Sequence, residues 1–383
     1  MDLILFLVLS LCITCCKVEA RSKILLDETN NFNLSYSIED FVADKFDCVG
    51  IYKQPTLQHP LLKEHKIQLL PTFAKNIVRS RPSYGKTAVD CPLGKVPIYN
   101  RRGRHQIIAN SSSKLEIDDF QRHSKSNPGY HTVTLDTTQN TIFHGAYAGI
   151  ALYNLSVQAK QYSMSYIWIE SGSGTQLNSI KVGVGVFPTL YKDNQLRLTS
   201  RWTADGFRQT GCYNDNCPGF VQVNSNKDFT LGTVMSPTNS IGATEKFAIF
   251  LKIKQDRSTG HWWLLMRHES IQVGYWPREL FNHLGMGASK IRFGGQTYAP
   301  PNTDSPPMGS GRLPKEKFEN SGFMGQLRII DSQYNEADVK PENMKPYRDT
   351  NSNCYDVIYN GFEGRLYRQA FLYGGPGGRN CGI

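Results

Sequence analysis

Apolar side chains recur at every second position from about residue 130 onward. In "LNSIKVGVGVFP" (177–188), Ile180, Val182, Val184 and Val186 fall on one face and Lys181, Gly183 and Gly185 on the other. A period of two predicts a strand. Its polar face carries one lysine beside two residues without side chains. Such a face reads either as an exposed strand with a solubilising lysine or as a cleft floor where glycines leave room for a ligand. The stretches "YHTVTLD", "YAGIALYNLSV", "YSMSYIWIES", "QLRLTSRWT", "FVQVNS", "KFAIFLKIKQD", "HWWLLMR", "SIQVGYWP" and "SKIRFGG" alternate similarly or are rich in β-branched and aromatic residues. Clusters of Gly, Pro, Asn and Asp separate them. "PRELFNHLG" is the best short helical candidate. There is no βαβ alternation and no internal repeat, so an all-β, antiparallel sandwich or barrel of roughly 250 residues is expected.

Residues 21 to about 125 differ. Prolines and charges break each periodic run in "ETNNFNLSYSIEDF", "DCVGIYKQPTLQHPLLKEHKIQLLP" and "DCPLGKVPIYNRRGRH". The amphipathic "SSKLEIDDFQRH" follows, and then "SKSNPGYH" (124–131), a linker by composition. "YAPPNTDSPPMGSG" (298–311) reads as a long exposed loop. "GGPGG" (374–378) lacks the lysine and helix of a phosphate loop and reads as a flexible turn before Cys381.

The chain opens "MDLILFLVLSLCITCCKVEA", whose apolar run and small final residue predict a signal peptide over 1–20. No later segment is long and apolar enough for a membrane span. Cys12, Cys15 and Cys16 would leave with the leader. Cys48, Cys91, Cys212, Cys217, Cys354 and Cys381 remain, an even set that suggests three disulfides. Six cysteines allow fifteen pairings. The most local is Cys48 with Cys91, Cys212 with Cys217 and Cys354 with Cys381. Metal binding is not expected, because Cys-x₄-Cys has no second pair at finger-like spacing, and no cofactor is indicated. Sequons at Asn33, Asn110 and Asn154 fit a secreted glycoprotein of the extracellular space, cell wall or vacuole. The net charge of +10, densest in "RRGRH" (101–105), suits acidic polysaccharide better than nucleic acid in such a compartment, although a solvated basic linker is the simpler reading.

Metalloprotease, nucleophile-elbow and P-loop motifs are absent. The stretches "WTADGFRQTGCYNDNCPGFVQVN", "TGHWWLL", "VGYWPRELF", "IRFGGQ" and "MGSG", in that order, resemble the neprosin family of plant secreted peptidases. "DCVGIYKQPTLQHPLLKEHKIQ" resembles that family's activation peptide. The resemblance implies a smaller mixed propeptide (21–125) followed by a peptidase domain (126–383), the latter an antiparallel β-sandwich of two large sheets. It implies a glutamic endopeptidase that cleaves Pro-containing peptides after proline at acid pH; a monomer is expected. Such chemistry needs one carboxylate as base toward water and one carboxylic acid as proton donor. The resemblance places the two glutamates at Lys181, framed by Leu177, Asn178, Ile180 and Gly183, and at Gln296, framed by Ile291, Gly294 and Gly295. Family tryptophans fall at Val184 and Phe293. Both carboxylates are therefore substituted, and a protein of reduced or absent peptidase activity is expected. The alternatives are an active enzyme using another carboxylate, with Glu170 the substitute, and a polysaccharide-binding module. Gly183, Gly294 and Gly295 are candidates for the cleft, with aromatic walls from Trp202, Trp262, Trp263 or Trp276.

Overall fold

The computed structural model describes residues 46–74, 90–99, 129–315 and 317–382. The expected leader, Cys12, Cys15 and Cys16, the sequons at Asn33 and Asn110, "RRGRH", the 112–123 stretch and most of the linker lie outside them. Asn154 is described and exposed.

Two antiparallel sheets dominate. The seven-stranded sheet runs β16 (Met344–Arg348), β3 (Tyr130–Thr137), β13 (Lys290–Tyr298), β5 (Tyr162–Ser171), β6 (Asn178–Val186), β7 (Arg197–Thr203), β8 (Cys212–Tyr213). The second runs β17 (Asp356–Phe362), β18 (Gln369–Gly374), β14 (Gly322–Ile330), β4 (Gly145–Ala151), β10 (Ala248–Gln255), β11 (Trp262–Met266), β12 (Ile271–Trp276), β9 (Val221–Gln222). A ninth strand, β15 (Glu336–Asp338), pairs with β14. The core lies between the sheets and follows from the alternation. Ile180, Val182, Val184 and Val186 meet Ile167, Ile169, Ile291 and Phe293 within the first sheet, and Ala146, Ala148, Ile150, Leu251, Ile253, Trp262 and Leu264 from the second.

Three readings of the sequence need correction. "PRELFNHLG" forms two 3₁₀ turns, Arg278–Leu280 and Leu284–Met286, in place of a helix. The 298–311 loop is irregular but largely internal: Met308 is fully buried, and Ser305 and Met308 bridge to Gly378 and Gly375. Gly374, Gly375 and Gly377 therefore serve close packing. A Cβ on Gly377 would lie 2.1 Å from the Ser305 carbonyl oxygen, so the two segments touch only because no side chain intervenes. The expected disulfide pairing is present, with Cα separations of 5.5 Å (Cys48–Cys91), 5.9 Å (Cys212–Cys217) and 5.6 Å (Cys354–Cys381).

The leading segment forms a ribbon of β1 (Phe46–Gly50) and β2 (Lys95–Tyr99), joined by Cys48–Cys91. It fastens to the free edge of the second sheet at β9. The Gln54 side chain accepts from the Gln222 amide (2.9 Å) and donates to the Gln222 carbonyl (3.2 Å), occupying the edge as a neighbouring strand would. Ile67 and Phe73 pack on Trp263, Leu265 and Tyr275, on the outer face of the second sheet. His65 bonds Glu279 (3.2 Å) and the Tyr275 hydroxyl (2.8 Å).

Asp256 is the other clamp. It accepts from the Thr72 amide (2.6 Å), the Thr72 hydroxyl (2.5 Å) and Gln68 Nε2 (2.9 Å). Burial pushes this carboxyl up, but hydrogen bonds from Thr72, Gln68 and the Ser258 amide outweigh burial and hold it below the usual range. A carboxyl with a depressed pKa when docked strengthens docking at pH values above its ordinary pKa of 3.8, and that contribution is lost as pH falls through the depressed value. Asp256→Ala should therefore speed hydrogen exchange at the Thr72 amide at least tenfold at pH 6, since hydrogen bonds to a charged acceptor are worth roughly 1.5–3 kcal/mol each. Exchange mass spectrometry of peptides spanning 67–74 checks this, and unchanged protection would show that Asp256 does not hold the segment.

Candidate functional site

On the outer face of the seven-stranded sheet, β5 presents Tyr162, Met164, Tyr166, Trp168 and Glu170, alternating with the core residues Ile167 and Ile169. Register then places the neighbours. Lys181 on β6 lies opposite Trp168, and Arg201 on β7 lies opposite Lys181. Arg292 on β13 also lies opposite Trp168, and Gln296 opposite Met164. All are an even number of residues apart along their strands, so they share one face. Tyr191, Tyr213, Phe187 and Tyr298 complete an aromatic cluster there, with Tyr99 and Phe46 of the leading ribbon at its margin.

Lys181 and Gln296 meet across β5: Nζ lies 3.5 Å from Oε1. Both are buried, Lys181 2% and Gln296 3% exposed. The Lys181 ammonium stands 3.9 Å above the Trp168 ring, a cation–π contact. Gln296 Oε1 also accepts from the Tyr162 hydroxyl (3.4 Å), and its Nε2 donates to Thr132 (3.4 Å). Burial drives the Lys181 pKa down from 10.5 to about 7; Glu170 opposes the shift, while Arg201 and Arg292 add to it. Glu170 occupies the same face but faces Arg292, 3.9 Å away, and no hydrogen bond joins it to Lys181 or Gln296. Arg292 is held more closely by Asp136, at 3.0 Å.

The other sequence candidates fall elsewhere. Trp202, Trp262 and Trp276 are not cleft walls: they point into the inter-sheet core, Trp202 against Phe281 and Trp276 against Phe220. Trp263 packs under Ile67 and Phe73 on the other sheet. Gly295 also faces the core, where a Cβ would meet Met308 Sδ at 2.5 Å. Gly183 is on the site's face, but a Cβ there would lie 1.7 Å from the Ser165 carbonyl oxygen. Gly294, at φ +152°, abuts the Val133 carbonyl oxygen in the same way, at 2.1 Å. These glycines are required by close strand approach and do not open a floor for a ligand. Sequence reasoning missed the aromatic stripe of β5. Its signal was present, because Tyr162, Tyr166 and Trp168 stand on the face opposite the apolar Ile167 and Ile169.

Among the described residues, one group has metal-ligand character: His65, His261 and Glu279. It stands at the leading-segment clamp, away from Lys181. Three of its four imidazole nitrogens are engaged, since His65 bonds Glu279 and Tyr275, and His261 Nδ1 accepts the Arg278 amide at 3.1 Å.

The Neprosin family model matches residues 159–376, more than half of the chain and all of the segment carrying Lys181 and Gln296. The chain belongs to the Neprosin family. Two solved structures are similar to this neprosin-family chain in outline. One is scytalido-glutamic peptidase with a peptide-based transition-state analogue, at 7% identity and TM-score 0.34, covering 65% of this chain and 98% of that one. The other is scytalido-glutamic peptidase with a transition-state analogue inhibitor, at 10% identity and TM-score 0.35, covering 64% of this chain and 98% of that one. Among the described residues, no helix is long and apolar enough to cross a membrane.

Proposed function

We propose that this neprosin-family protein is a catalytically deficient relative of the glutamic prolyl endopeptidases that keeps the site as a peptide-binding surface. The observation carrying the reading is the Lys181–Gln296 contact at 3.5 Å, where the resemblance calls for two glutamates. Peptide hydrolysis by such a pair needs a base that stays unprotonated in acid. With its pKa near 7, the Lys181 amine is protonated throughout the acid range. A carboxamide neither takes nor gives a proton. Glu170, the nearest alternative, is directed to Arg292.

The same reading assigns the chain to the secretory route, with residues 1–20 as leader, 21–125 as an activation-peptide-like segment and 126–383 as the peptidase-like domain. Three disulfides support an oxidising compartment. The test is incubation of the purified full chain with a fluorogenic Pro-containing peptide between pH 3 and pH 7. No cleavage above a buffer blank is expected. Turnover after proline that is abolished by Glu170→Gln would replace this reading with an active enzyme using Glu170.

A further inference from the structure

Several other cations buried or half-buried in this fold are met by oxygen. Arg197 pairs with Asp193 (2.6 Å), Arg292 with Asp136 (3.0 Å), and Lys252 with Glu269 (2.7 Å). Lys246 bonds the carbonyl oxygens of Ser240 (3.3 Å) and Glu319 (2.8 Å). Lys181 differs from these. It is as buried as any of these, yet among the described residues no carboxylate comes within ion-pairing distance of its nitrogen. An ammonium carries three donors. Here it meets one acceptor, Gln296 Oε1, at the outer limit of hydrogen-bonding distance, and the face of Trp168. Arg201, on the adjoining strand and the same face, adds positive charge and contributes no acceptor. A buried charge without a counter-ion is costly, and the chemistry that relieves that cost is an anion with two acceptor oxygens.

We infer that Lys181 and Gln296 form a receptor for the free C-terminal carboxylate of a peptide. The inference rests on the proposal that the outer face of the seven-stranded sheet is a peptide-binding surface. In a peptidase of this plan the two catalytic groups flank the carbonyl being attacked. A chain that ends at that point presents a carboxylate there instead of an amide. An ammonium supplies its counter-charge, and a carboxamide supplies a neutral N–H donor. A pair of glutamates could do neither with both ionised, because like charges would repel the ligand. The aromatic cluster of Tyr162, Tyr166 and Trp168 is itself buried, and it would have to be uncovered for the preceding residues to lie on it. The site would thus hold what a cleaving enzyme releases.

The experiment compares N-acetyl-dialanine with its carboxamide, by calorimetry on the full chain at pH 6, where the amine is mostly charged. The free acid should bind at least tenfold more tightly than the amide, and Lys181→Met should remove the difference. Equal affinity for acid and amide would overturn the inference and leave the peptide-binding reading standing. Binding of neither would overturn both. A preference for the acid that survives in Lys181→Met would place the carboxylate elsewhere and overturn the assignment to Lys181.

Discussion

Lys181→Glu combined with Gln296→Glu should give the protein acid-pH cleavage after proline, at least a hundredfold above either single variant. The two groups share one task. A base must take the proton from water, and an acid must deliver one as the intermediate collapses. Residues that act as a unit are strongly non-additive, so one glutamate alone should achieve little. The two positions face each other across β5, so carboxyl groups there would be coupled and could not both ionise easily. One pKa would rise, which yields the acid and the base together. Arg201 and Arg292 on the same face would draw both values down, so the optimum should lie well into the acid range. Cleavage of a quenched-fluorescence peptide across pH 3–7 reads the result. Equal rates for the double variant and the wild type would mean that these positions are not the lost pair.

Lys181→Met should stabilise the fold. The wild-type lysine has a pKa of 10.5 when exposed and about 7 in place, with burial the leading cause. Below pH 7 the folded state carries a charge that it holds at a disadvantage, and stability is lowest there. As pH rises from 7 to 10.5 the folded amine is neutral while the unfolded one is still protonated, so stability rises with pH over that window. At about 1.4 kcal/mol per pKa unit, the penalty is on the order of several kcal/mol. Methionine fills the same space over Trp168 without charge, as replacements of buried ionic groups by apolar ones often succeed in doing. Thermal unfolding at pH 6 should show a melting temperature higher by roughly 5 °C or more. The gap between variant and wild type should close as pH approaches 10. A lower melting temperature at pH 6 would show that an interaction of the ammonium outweighs its desolvation.

Much of this was legible in the alternation of residue types. Strand β6 and its inward valines follow directly from the 177–188 pattern, and Lys181 is then on the other face by parity alone. What alternation does not reveal is which face of a strand has empty space. Gly183 and Gly294 look like clearings in one dimension, whereas in three the neighbouring strand's carbonyl fills each of them. Trp202 and Trp276 were misplaced for a related reason. Tryptophan suits both a ligand wall and a core, and the choice depended on the facing sheet, which sequence does not register. The 298–311 segment looked exposed because proline and glycine mark loops. Its burial comes from a long-range match with the 374–378 glycines, invisible to any local window. The Lys181–Gln296 contact needed the family resemblance, since the two residues are far apart in sequence and the strand between them is a third.

The strand order also dictates when the site can exist during synthesis. Strands β5, β6 and β7 are consecutive neighbours and can pair as soon as they emerge. Strand β3 pairs on one side with β13, where Val133 faces Gly295, and on the other with β16, where Val133 faces Arg348. Strand β4 likewise waits for β10 and β14. The first strands of the sandwich thus have no partners until the distal part of the chain is available, and contacts of such long sequence separation form slowly. Gln296 joins Lys181 only in that late step. The unpaired early strands are an aggregation hazard during synthesis, and the length of that delay makes this protein one whose yield should depend on chaperone supply more than on the stability of its finished fold.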